Sequence, residues 1–147
     1  MKVEVLFPKG YCQGVSLAIK KALLAKEEHQ DMDVYVLGML IHNDGIISYL
    51  NNKGIKTLKN KDNNLYALMD EVPNGSVLIF TAHGHDEKLD EIAKSKGCLI
   101  YDATCSMVKC NMEMIKYKLQ EGYKVLYIGM KHHPETNAAL SISKDVL

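Results

Sequence analysis

Cys12 stands between two glycines in the stretch PKGYCQGVSLAIKKALLA, and Cys105 closes the stretch DATC. Each cysteine falls between a strand-like apolar run and the start of a helical stripe. Free backbone N–H groups and the positive end of the helix dipole stabilise a thiolate at such a position. Glycine there permits a tight turn and lets the backbone approach a ligand closely. Thr104 or Ser106 can cap the second of the two helices. Two thiolates on one rim suit a soft metal or an iron–sulfur cluster. Taken singly, each cysteine reads equally well as a small helix-start residue, because free cysteine is commonly a buried small hydrophobe.

Histidines and one glutamate occupy the other turns. His42 follows the run VYVLGMLI, His83 and His85 lie in TAHGH, and His132, His133 and Glu135 lie in KHHPE. Imidazole N–H groups near helix starts can hold a phosphate or diphosphate. Glu135 beside them is a candidate proton donor. His29, within KEEHQD, reads as a solvated surface residue, and His85 and His132 lean the same way. Cys98 begins a strand and so belongs near the opposite edge of a sheet. Cys110 lies five positions past Cys105, roughly 140° around an ideal helix. Neither is expected to be a ligand. The chain has no Cys-x-x-Cys pair, which makes cysteine-held zinc the weaker metal reading.

These side chains need elements to position them, and the hydrophobic pattern supplies alternating strands and helices. Val3–Phe7, Asp33–Leu40, Ser76–Thr81, Cys98–Tyr101 and Lys124–Ile128 read as strands. Helices are expected from Val15 through Leu23, over Ile46–Asn52, Leu65–Glu71 and Asp86–Lys96, and from Val108 through Leu119. Nearly continuous apolar strands alternating with amphipathic helices predict an α/β fold, with a parallel sheet flanked by helices. In such a sheet the loops after the strands share the carboxyl edge, where open α/β sheets bind ligands. Each of the five expected strands is followed within a few residues by a cysteine or a histidine. Loops favour polar residues anyway, but that does not account for Cys12 and Cys105. Thr136 to Leu147 holds no further complete unit, so the chain reads as a portion of something longer. The expected division is a first α/β unit over residues 1–97 and an incomplete second over residues 98–147.

Bulk composition narrows the class. Eighteen acidic and eighteen basic residues give zero formal charge, against a general nucleic-acid binder. No apolar run approaches the ~18 residues of a membrane span, and the N-terminus lacks signal-peptide anatomy. A cytoplasmic location is expected, where four cysteines are not a disulfide framework.

The ordered set GYCQGVSLAI, IHN, AHG, DATC and HPE resembles the N-terminal part of the 4-hydroxy-3-methylbut-2-enyl diphosphate reductase family, which acts at the end of the methylerythritol phosphate route to isoprenoids. The resemblance covers essentially the whole chain but only about the first half of the family's length. It implies three similar α/β units around a [4Fe-4S] cluster held by three cysteines, of which Cys12 and Cys105 match two. The N-terminal strand would pack on the third unit. The resemblance makes His42, His83 and His133 ligands of the substrate diphosphate and Glu135 the catalytic acid. It implies reductive dehydroxylation of an allylic diphosphate to isopentenyl and dimethylallyl diphosphate, with ferredoxin or flavodoxin as electron donor. The third cluster cysteine is not matched, so the 147-residue chain alone is expected to be inactive. A non-catalytic α/β module binding a diphosphate or nucleotide is the alternative, and a zinc or thiol-redox regulator ranks last.

Overall fold

Val34–Leu37 and Val77–Phe80 are apolar at every position, and all eight side chains are buried. A strand buried on both faces must lie inside a sheet with helices above and below. That is the arrangement in the computed structural model of the chain, which describes residues 2–4 and 10–147. The elements run α1 (Gln13–Glu28), β1 (Val34–Leu37), α2 (Asp44–Asn52), β2 (Ile55–Leu58), α3 (Leu65–Asp70), β3 (Val77–Phe80), α4 (Lys88–Ser95), β4 (Leu99–Asp102), α5 (Ser106–Gln120) and α6 (Pro134–Ser141). The four strands form one parallel sheet in the order β2-β1-β3-β4. Val34 pairs with both Ile55 and Val77, and Val77 in turn with Leu99.

Alternation along the strands divides the core between two faces. Val34, Val36, Val77 and Ile79 point to the side covered by Ala18, Ala22 and Ala25 of α1 and Leu50 of α2. Tyr35, Leu37, Leu78 and Phe80 point to the other side, under Leu68 and Met69 of α3 and Leu89 and Ala93 of α4. Alanines at these positions let α1 lie close to the sheet. Lys21 Nζ on α1 donates to the Asp102 carbonyl at 2.7 Å, and His29 Nε2 lies 2.9 Å from the Tyr101 hydroxyl. These ties hold α1 against β4 with its start at the carboxyl edge.

Several expectations need correction. β2 had no counterpart among the expected strands. It is a half-exposed edge strand with a lysine, so its apolar signal is weak. No cysteine or histidine follows it directly. Lys124–Ile128 is not a strand: its only ladder contact among the described residues is a parallel bridge between Val125 and Val146, flanked by backbone bonds to Asp145 and Leu147, and a single bridge does not make a sheet strand. The expected first strand lies largely outside the described residues, and Val3 and Glu4 carry no strand. His29 is half-buried rather than solvated. β4 pairs with β3 along its whole length.

The turn after β4 is fixed by Asp102. Its carboxylate accepts from the Thr104 N–H at 2.8 Å and pairs with Lys109 of α5 at 2.5 Å. Burial works to raise its pKa, but the Lys109 and Thr104 hydrogen bonds outweigh it and hold the carboxyl below the usual carboxylate range. A depressed folded-state pKa contributes stability that is present above the unfolded value of about 3.9 and is lost as pH falls through the folded value. Asp102→Asn should therefore lower the urea midpoint at pH 7, and the gap from wild type should shrink progressively below about pH 4. A gap that stays constant into strong acid would refute this assignment.

Candidate functional site

The strand order reverses between β1 and β3: the chain first moves from β1 to β2 on one side, then returns to place β3 on the other. Ligands of open α/β sheets bind outside the carboxyl ends of the strands at such a switch point. The loops leaving β1, β3 and β4 stay laterally bonded beyond the strands themselves. Ala82 N donates to Leu40 O at 3.3 Å, Ala103 N to Phe80 O at 3.1 Å and Cys105 N to Ala82 O at 3.0 Å. This continued register carries His42, His83 and Cys105 side by side over the sheet edge.

Cys12 is the N-cap residue of α1 and Cys105 that of α5, and neither side chain caps its own helix. Both thiols are thus left free at helix starts. Gly14 lies between them. A Cβ built on Gly14 would stand 2.7 Å from Cys105 Sγ and 3.9 Å from Cys12 Sγ. The missing side chain is what allows the two sulfurs to share this corner. Cys12 is exposed and Cys105 half-buried, so both are accessible from the cleft. The pair and the cradle fit one side of a soft-metal cluster. Cys98 is buried, with its Sγ 3.9 Å from the Pro73 carbonyl. Cys110 is exposed farther along α5. Neither joins the pair.

The three matched histidines converge. The His42 and His83 ring centroids are 4.6 Å apart, His42 and His133 5.4 Å, and His83 and His133 5.6 Å. His133 is the N-cap of α6, and its Nδ1 accepts from the Glu135 N–H at 3.3 Å. Pro134 at the first helical turn fixes the backbone there. Glu135 Oε1 lies 3.5 Å from His83 Nδ1. His83 Nε2 is buried without a partner, and a buried unpaired nitrogen is costly unless a ligand satisfies it. Burial, followed by the proximity of His42, lowers the pKa of His83, with Glu135 opposing.

One cleft of about 450 Å³ is lined by Cys12, Gly14, His42, His83, Cys105 and Glu135. His133 borders the same cluster through its neighbours. His85 and His132 do not take part. His132 is exposed with φ +64°. His85 departs from the surface reading: it is buried, stacked on Phe80 at 3.6 Å, with Nε2 2.9 Å from Asp90. Gly84, at φ +79°, lies between His83 and His85 and lets them point to different places. A Cβ there would also press on Val108 and Met112 of α5, both at 3.2 Å.

Gly14 and Asp102 are the site-forming residues that sequence reading underweighted. The Asp-x-Thr spacing signals an Asx-type turn before a helix. The contact between Gly14 and Cys105 joins residues distant in sequence and had no local signal.

Fold and cleft together define a doubly wound α/β protein with two helix-start thiols, three imidazoles and a carboxylate at its switch point. The model of the family described as LytB protein matches residues 3–147, and the chain belongs to that family. Similar proteins include the 4-hydroxy-3-methylbut-2-enyl diphosphate reductases of Brevibacillus brevis, 40% identical over 99% of this chain and 46% of the relative, and of Malacoplasma penetrans, 34% identical over all of this chain and 51% of the relative. The solved E-1-hydroxy-2-methyl-but-2-enyl-4-diphosphate reductase from Plasmodium falciparum superposes with a TM-score of 0.81 at 30% identity, covering 94% of this chain and 41% of that one. The chain spans about half the length of the curated relatives it matches.

Proposed function

We propose that this chain supplies one side of the active site of a reductase that removes the hydroxyl of (E)-4-hydroxy-3-methylbut-2-enyl diphosphate as water, giving isopentenyl and dimethylallyl diphosphate. The observation that carries the reading is the meeting of Cys12 and Cys105 at Gly14, in the cleft that also holds His42, His83 and Glu135. Cys12 and Cys105 would hold two corners of a [4Fe-4S] cluster. We assign the third ligand to the half of the relatives that this chain does not span. The division into units is best drawn after the DATC turn, where the chain leaves the sheet. When bound, such a cluster supplies electrons singly and a Lewis-acidic iron. A small one-electron carrier of the ferredoxin or flavodoxin type in the cytoplasm suits that demand.

The chain's own groups account for binding and proton supply. Reductive dehydroxylation consumes two electrons and two protons, breaks one C–O bond and releases water. His42, His83 and His133 face one point from three loops and would donate N–H groups to diphosphate oxygens. The His133 tautomer favours this role: Nδ1 accepts from the helix, so the neutral ring carries its proton on Nε2. If His83 donates through Nε2, its Nδ1 lone pair faces Glu135 and favours a proton on that carboxyl. Glu135 is then a proton donor beside the bound anion.

The test is iron and acid-labile sulfide per chain after anaerobic reconstitution, run on the 147-residue chain and on the same chain joined to the remaining half of the Brevibacillus brevis relative. A stable cluster in the joined protein supports the reading, and no iron in either one refutes it. In the joined protein, Glu135→Gln should keep the cluster and lower turnover by about 10²–10⁴-fold. Unchanged turnover would remove Glu135 from the chemistry.

A further inference from the structure

We propose that His42, His83 and His133 also form a three-histidine binding site for a borderline divalent cation such as Zn²⁺. This uses residues of the diphosphate reading but does not depend on it. One nitrogen from each ring lies within 4.8 Å of the others. Tetrahedral zinc holds imidazole nitrogens at about 2.0–2.1 Å and so roughly 3.4 Å from one another. His42 is exposed and free to close the difference.

The surroundings of His83 match what a metal-binding histidine requires. Its Nδ1 faces the Glu135 carboxylate at 3.5 Å, and its Nε2 is buried with no partner. If the proton sits on Nδ1, directed at the carboxylate, and not on Nε2 as diphosphate donation requires, the Nε2 lone pair is bare. Ligating histidines commonly have a carboxylate on their second nitrogen, which fixes the tautomer and raises ligand basicity. His133 must give up more. Coordination through its Nε2 moves its proton to Nδ1 and breaks the 3.3 Å bond from the Glu135 N–H. That bond is long, and Pro134 keeps the helix start in place without it. Three imidazoles with an open fourth position make the ligand set of His₃ zinc sites. The cysteines are the obvious competitors for such an ion, so the experiment must silence them.

The test is Co²⁺ titration of the full 147-residue chain carrying Cys12→Ser and Cys105→Ser. The expected result is one Co²⁺ per chain with visible ligand-field bands, no near-ultraviolet sulfur charge-transfer band, and displacement by Zn²⁺. Adding His42→Ala or His83→Ala should weaken binding by about a hundredfold or more, and Glu135→Gln by about tenfold. His42 is exposed, so its removal leaves the fold intact, as circular dichroism will verify. Absence of stoichiometric Co²⁺ in the double-serine chain would overturn the proposal, as would binding indifferent to the His42 change. Pyrophosphate titrated into metal-free chain reports on the diphosphate reading alone, so the two readings can fail separately.

Discussion

Cys12→Ser or Cys105→Ser, in the chain joined to the remaining half of a relative, is expected to reduce acid-labile sulfide to background and to lower reductase turnover by more than about a hundredfold, beyond the cost of losing a ligand's supporting partner. Fold stability should hardly change. Neither thiol caps its helix, and serine is a better N-cap than cysteine, so each replacement leaves or improves the local helix start. That asymmetry separates a ligand from a small residue that happens to begin a helix. If the thiols were only structural, iron content would be indifferent to the change, while Cys98→Ser, which alters a buried side chain, would be the more damaging substitution. Cys98→Ser and Cys110→Ser should both retain the cluster. Iron and sulfide analysis with electron paramagnetic resonance on the four variants decides the matter. A cluster that survives in both the Cys12 and the Cys105 variant would place it elsewhere.

Elements with a strong one-dimensional pattern were legible in the sequence, and elements defined by their neighbours were not. The stripe from Val15 to Leu23 and the runs VYVL and VLIF identify α1, β1 and β3, because burial imposes a helical period on the first and an unbroken apolar run on the other two. Their loops could then be placed on one edge by topology alone. IKTL carries a weak signal because an edge strand buries only part of its surface. Lys124–Ile128 looked like a strand because it is apolar, but Leu126 and Ile128 are 74% and 91% exposed. An apolar run becomes a strand only where another strand is there to pair with it.

The candidate site shows the same division. Cys12, Cys105, His42, His83, His133 and Glu135 were visible as residue types at loop positions. Whether His85 joined them was not. Its placement depends on the left-handed turn at Gly84 and on the stacking surface that Phe80 offers beneath the sheet. The roles of His83 and Glu135 likewise depend on a contact between the loop after β3 and the start of α6, made across more than fifty residues of chain. Distances of that kind follow from packing, which local periodicity does not encode.

Gly14→Ala tests packing at the point where it matters most for the proposed chemistry. Gly14 lies in the first turn of α1, where alanine is intrinsically better by roughly 0.5–1 kcal/mol. Were the position merely helical, the substitution would raise thermal stability and leave metal uptake alone. The structure requires the opposite. The new methyl would stand 2.7 Å from Cys105 Sγ and 3.3 Å from Cys105 Cβ, so something must shift. The Cys105 backbone is tied to Ala82 at 3.0 Å and begins α5 through its carbonyl, which accepts from Lys109 N at 3.0 Å. The inexpensive movement is therefore rotation of the thiol away from the cradle, or a slight displacement of α1 that carries Cys12 outward. Either movement separates the two sulfurs. The expected outcome is a folded chain with no gain in melting temperature, and a joined protein whose iron and sulfide content falls to the level of Cys105→Ser. A more stable Gly14→Ala protein with a full cluster would show that the two thiols do not need this corner, and would remove the observation on which the reductase reading chiefly rests.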